Sequence, residues 1–237
     1  DSLPQMQEII GTVLGDDPVD GTKVCFSVPA PPLGSEDNLT YHEATVKQIL
    51  SQLGYEDVRS INEGLAVIYS ELEDSNYTGI GVSCGGGLCN VAMAYLSVPV
   101  LSFSVPKAGD FIDSSAAALT GERANHIRLM KEESFHLNGS QSDKIHQVIA
   151  VYYDDLIASL VAGLKEAFAK TRNMPKIGRA VPLVLSGGTA MPSGFRDRFE
   201  KAQRASDLPI GISEVRMASN PLYAAAKGAL VAALSDM

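Results

Sequence analysis

The stretch Gly79-Ile80-Gly81-Val82-Ser83-Cys84-Gly85-Gly86-Gly87-Leu88 decides how this chain is read. Tyr77 to Val82 has the character of a strand, and a second apolar run, Val91 to Val105, follows. Between them Gly85, Gly86 and Gly87 remove every Cβ at a turn. Backbone N–H groups can then converge on one point, and a ligand can touch the main chain. Amides converging between two strands suit an anion, most often a phosphate. A second glycine turn, Ser186-Gly187-Gly188-Thr189, follows another strand-like run, Val181 to Leu185. Two such turns in one chain imply a nucleotide held at both ends.

The 237 residues are enough for one large domain or two small ones. With 45% hydrophobic and 20% charged residues the composition is that of a globular protein. A net charge of −9 argues against nucleic acid or an anionic membrane as partner. It also means that a bound polyphosphate needs a cation. No apolar stretch reads as the ~18 residues needed to span a bilayer. Cys25, Cys84 and Cys89 have no regular spacing; they fit buried small hydrophobes in a reducing cytoplasm better than disulfides or a zinc site. His42, His126, His136 and His146 show no ligand spacing and read as solvated. The sequons at Asn38, Asn76 and Asn138 carry no meaning in a cytoplasmic protein. Asp1 and Ser2 read as the cap of a first helix, which implies that something upstream is missing.

Outward from the glycine turns, helices and strands alternate. The spacing predicts helices over 3–14, 41–53, 63–72, 109–119, 127–133, 144–170, 195–204 and 221–234. It predicts strands over 24–29, 58–61, 181–185 and 212–217, with a β-meander after the first glycine turn that Pro99 and Pro106 interrupt. The last helix has Ser219 or Asn220 as cap and Pro221 in its first position. This is an α/β protein with a mixed sheet.

The order of motifs now carries a resemblance. Val28–Ala30 (VPA), Ile61–Tyr69 (INEGLAVIY), the CGGG turn, Lys107–Asp113 (KAGDFID), Leu129–Phe135 (LMKEESF), Val184–Phe195 (VLSGGTAMPSGF) and Asn220–Leu230 (NPLYAAAKGAL) follow one another. The chain resembles the actin, heat-shock-chaperone and sugar-kinase superfamily of ATPases, and most of all prokaryotic actin homologues. The resemblance implies ribonuclease H-like lobes, each a five-stranded mixed sheet flanked by helices, with ATP and Mg²⁺ in the cleft between them. It divides the chain into the later part of a first lobe (1–77), a second lobe (78–220) and a terminal helix packing back toward the first (221–237). The family's opening hairpin, with its D-x-G phosphate turn, has no counterpart here. One complete lobe plus part of the other is therefore expected.

The same resemblance assigns roles. Glu63 falls where the superfamily orients the attacking water, a task for a positioned carboxylate; the plain alternative is a helix-start glutamate favoured by the dipole. Ser83, Cys84, Gly85, Gly86, Gly87 and Leu88 form the phosphate turn. Ser83 stands where the family has a cation-holding Asp, so the metal must lean on Asp110 through water, or the ATPase is slow or lost. Lys131 and Glu132 resemble the pair that meets the nucleoside, the alternative being a solvated helix face. Gly187, Gly188 and Thr189 resemble the adenosine turn, with Met191 over the ring. Adenine over guanine, a filament-forming cytoskeletal role and a cytoplasmic location are implied by resemblance alone. A non-hydrolysing scaffold is the rival. A lesser rival is a serine hydrolase, because Gly81-Val82-Ser83-Cys84-Gly85 matches a nucleophile elbow.

Overall fold

The computed structural model describes residues 3–15, 18, 21–34, 40–139, 143–171 and 174–235. The expected caps Asp1 and Ser2 and the sequon at Asn38 lie outside them. The chain runs α1 (Leu3–Leu14), β1 (Lys23–Val28), α2 (Thr40–Gln52), β2 (Asp57–Asn62) and α3 (Glu63–Glu71). Then come β3 (Gly79–Cys84), β4 (Cys89–Tyr95), β5 (Val98–Val105), α4 (Gly109–Thr120), α5 (Ala124–Glu133) and α6 (Lys144–Lys170). It ends with β6 (Val181–Ser186), α7 (Phe195–Arg204), β7 (Ile212–Met217) and α8 (Ala224–Leu234).

The centre is a five-stranded mixed sheet in the order β5-β4-β3-β6-β7. The meander β3-β4-β5 is antiparallel, while β6 and β7 run parallel to β3. Pro99 falls where the β4–β5 register shifts, between Met93 and Ala94; a residue with no N–H to give is tolerated at such an irregularity. Every residue of β3 is buried, as in a strand covered on both faces. Ile80, Val82, Cys84, Val91, Met93, Leu183 and Leu185 face a core shared with α6, whose Ile149, Tyr153, Leu156, Leu160 and Leu164 are buried. Each such side chain contributes roughly 1.5–3 kcal/mol on burial. By length and composition α6 is long and apolar enough to cross a membrane, contrary to the expectation that no apolar stretch is. Its apolar side covers the sheet instead.

The opposite face is covered by α3 and α8, through Leu65, Ile68, Ala92, Ala94, Val184, Ala218 and Ala229. The approach is close. A Cβ on Gly81 would collide with the Gly64 carbonyl oxygen, and one on Gly228 with that of Ala66. Thus α3 rests with its backbone on β3, and α8 rests backbone to backbone on α3.

A second sheet holds only β1 and β2, paired in parallel. Helix α8 also packs against both of its strands. Helix α1 buries none of its residues; Ile9 and Val13 stand exposed.

The expected final helix begins later than the sequence implies. Residues 221–223 form a turn, and Tyr223, without a side-chain bond, occupies the cap of α8. The Pro221 carbonyl is occupied elsewhere, accepting from Gly187 N (2.9 Å) and Ser186 Oγ (2.8 Å). Ser219 binds Glu71 through its N–H and hydroxyl, both at 2.9 Å. His42, His126 and His136 are exposed, but His146 is half-buried with its ring edge-on to Phe135. The expectation of four solvated histidines fails there, because the first turn of α6 is packed.

Candidate functional site

The two glycine turns end neighbouring parallel strands, β3 and β6, and so meet at one edge of the sheet. Thr189 Oγ1 donates to the Gly85 carbonyl at 2.7 Å and links them directly. The N–H groups of Gly109 and Asp110, which open α4, donate to the carbonyls of Gly85 (3.2 Å) and Gly86 (2.8 Å). The turn thereby caps a helix that has no side-chain cap. Gly109 is tightly enclosed: a Cβ there would lie 2.8 Å from Thr189 Oγ1.

This arrangement corrects part of the expected donor set. The Gly85 N–H is spent on the Leu88 carbonyl at 3.0 Å, and Cys84 is a fully buried strand residue. Among the described residues, the backbone amides of Gly86, Gly87, Leu88, Gly188 and Thr189 meet no backbone acceptor. Those five are the amides available to an anion.

A cleft of about 730 Å³ opens here, between the turns, α4 and α5. Its lining includes Gly85, Gly86, Asp110, Lys131, Glu132, Gly188, Thr189 and Met191. Met191 is 50% exposed and lines the cleft together with Leu222. Lys131 lines the cleft but is not on a solvated helix face, the plain alternative to a nucleoside contact. Its side chain is 8% exposed, with Nζ 2.6 Å from Asp113 Oδ1 and donating to the Gly109 carbonyl at 3.1 Å. Burial pushes the Asp113 carboxyl above the ordinary aspartate range; the Lys131 ammonium pulls against that and Asp110 adds to it. Glu132 is exposed and accepts from Arg128 Nε at 2.9 Å, one helical turn away.

Sequence reasoning missed Asp113, Arg128, Phe135 and Tyr153, all of which line the cleft. Phe135 stacks on Tyr153 with centroids 5.3 Å apart, and Phe195 meets Tyr153 edge-on. The Tyr153 hydroxyl is buried and meets no hydrogen-bond partner among the described residues, and burial pushes its pKa far above the ordinary tyrosine range. Its only sequence signal is a phenol inside the apolar stripe of a long helix.

Glu63 and Ser83 lie together under the first turn. Glu63 opens α3, whose cap Asn62 accepts from the N–H groups of Gly64 and Leu65. Glu63 Oε2 accepts from Ser83 Oγ (3.1 Å) and Asn90 Nδ2 (3.0 Å). The hydrolase alternative is thereby overturned. Ser83 lies inside a strand that turns into antiparallel β4 rather than a helix, and its hydroxyl faces a carboxylate instead of a histidine.

The family model described as Volactin matches residues 1–233. No curated protein matches the sequence. Among solved structures, ethanolamine utilization protein EutJ from Carboxydothermus hydrogenoformans is 17% identical with a TM-score of 0.63, over 97% of this chain and 74% of that one. MreB5 of Spiroplasma citri bound to ADP gives 15% and 0.69, over 97% and 73%. The MamK double helical filament gives 16% and 0.72, over 99% and 75%. All are members of the actin-like ATPase superfamily, and their likeness shows that this chain has that fold.

Proposed function

This chain belongs to the Volactin family, and from that premise we propose that it is the nucleotide-binding portion of a cytoplasmic, filament-forming actin-like protein that takes ATP with Mg²⁺. The observation that carries this reading is the meeting of two glycine turns on one cleft, which Gly85, Gly86, Gly188 and Thr189 line, with five amides of those turns meeting no backbone acceptor among the described residues. The triphosphate lies along Gly86, Gly87 and Leu88. The nucleoside lies on Gly188 and Thr189 beneath Met191, with Glu132 within reach of the ribose hydroxyls. The solved structures support the reading: a non-polymerising MamK mutant was solved bound to AMPPNP, MamK as a double helical filament, and MreB5 bound to ADP.

Among the described residues no group of three or more His, Cys, Asp or Glu side chains could hold a metal. Asp110 places a carboxylate beside Gly86. Mg²⁺ commonly takes one or two carboxylates plus phosphate oxygens and keeps its remaining waters. The site therefore fits a hydrated ion carried with the nucleotide, which would neutralise phosphate charge, rather than a resident one. The neutral Ser83 hydroxyl, turned toward Glu63, favours slow turnover and keeps the non-hydrolysing scaffold as a second reading.

Titration of the full-length protein with a fluorescent ATP analogue tests binding, and light scattering with and without ATP–Mg²⁺ tests assembly. Saturable binding and nucleotide-dependent scattering are expected. No binding at millimolar nucleotide would refute the reading.

A further inference from the structure

Asn90 is a polar side chain 1% exposed near the start of an otherwise largely apolar strand. Burying an amide is costly unless it is hydrogen-bonded, and this one is engaged at both ends. The Ala30 N–H reaches its Oδ1 at 2.8 Å, and its Nδ2 reaches Glu63 Oε2 at 3.0 Å. The orientation is forced, because a backbone N–H can only meet the amide's oxygen. Ser83 Oγ donates to the same Glu63 oxygen at 3.1 Å. Oε2 thus receives two hydrogen bonds, while Oε1 receives none from the described residues. Both donors stand at the root of the glycine turn, Ser83 on the strand leading in and Asn90 on the strand leading out.

We propose that Ser83 and Asn90 are positioning residues: they pin Oε2 of Glu63 and leave Oε1 as the one oxygen that accepts a proton from water attacking a bound nucleoside triphosphate. The inference rests on the nucleotide reading above. In the step, the water oxygen bonds to the γ-phosphorus and its proton passes to Oε1. The bond from the γ-phosphorus to the bridging oxygen breaks, and that electron pair leaves with the nucleoside diphosphate. Two neutral donors suit this task. They fix the orientation of the carboxylate without placing another charge beside it, whereas a second carboxylate about 3 Å away would repel it. Serine at position 83 therefore serves Glu63 where an aspartate would repel it.

The test compares the wild-type full-length protein with Ser83→Ala, Asn90→Ala and Asn90→Asp, following phosphate release against pH and binding of a fluorescent ATP analogue. Ser83→Ala removes one hydroxyl from a packed strand and guards against misfolding in the Asn90 variants. The alanine variants are expected to lose about 10-fold or more in kcat with affinity held within about 2-fold. The acidic limb of Asn90→Asp should rise by about one pH unit or more, because a second carboxylate then stands beside Glu63. Unchanged kcat and unchanged limbs in a hydrolysing protein overturn the positioning role and leave the nucleotide reading standing. A wild type that binds but releases no phosphate also overturns it, and a wild type that binds nothing removes both.

Discussion

The two glycine turns look alike in sequence and are built for different reasons. Gly187 has φ of +91°, and a Cβ there would collide with the Cys84 carbonyl oxygen. The fold itself requires glycine at that point. Gly85, Gly86 and Gly87 have no left-handed φ. A Cβ on Gly87 would meet nothing within 4 Å, and one on Gly86 would come no closer than 3.4 Å, to the Asp110 carboxylate. Neither conformation nor packing within the chain demands glycine at 87. A bare backbone that the fold does not need is best explained by something that approaches from outside.

Substitutions separate the two cases. Gly187→Ala should be the most damaging, costing about 5 kcal/mol or preventing a soluble fold, as thermal melting of purified protein would report. A melting temperature close to wild type would break the contrast. Lys131→Met leaves Asp113 buried without its cation and should cost about 3 kcal/mol in denaturant unfolding; adding Asp113→Asn should recover part of that. Gly87→Ala should leave melting almost unchanged yet weaken binding of an ATP analogue about 10-fold, or ~1.4 kcal/mol. Equal loss of stability at 87 and 187 would show that both turns are merely structural.

The smallest effect lies away from both turns. Burial pushes the Glu71 carboxyl upward, but hydrogen bonds from Ser219 and Ser70 and the nearby Lys227 outweigh it and hold the group below the ordinary glutamate value of 4.5. A depressed pKa contributes stability above the unfolded value, and that stability is lost as pH falls through the folded value. Glu71→Gln should therefore cost on the order of 1 kcal/mol near pH 7 and flatten the acid limb of unfolding below about pH 4.5.

Much of the architecture was legible because periodicity reports burial directly. Lys144–Lys170, Phe195–Arg204 and Ile212–Met217 fall where the apolar spacing places them, since each covers or joins the central sheet. The start of α8 was not legible: Pro221 fits a first helical position, and only the fold shows its carbonyl engaged by Gly187 and Ser186. The turns themselves could be read from glycine. The use of the Gly85 amide, the burial of Lys131 and the arrival of Tyr153 and Arg128 at the cleft depend on contacts between distant segments. Asn90 did leave a trace, as an amide interrupting the apolar run from Leu88 to Ala94.

The seat of α8 on α3 has a mechanical consequence. With Gly228 lying directly on the Ala66 carbonyl, the two helices cannot slide past each other without first separating. Because β1 and β2 lean on α8, and β3 and β4 on α3, this crossing is the joint that ties the small sheet to the large one.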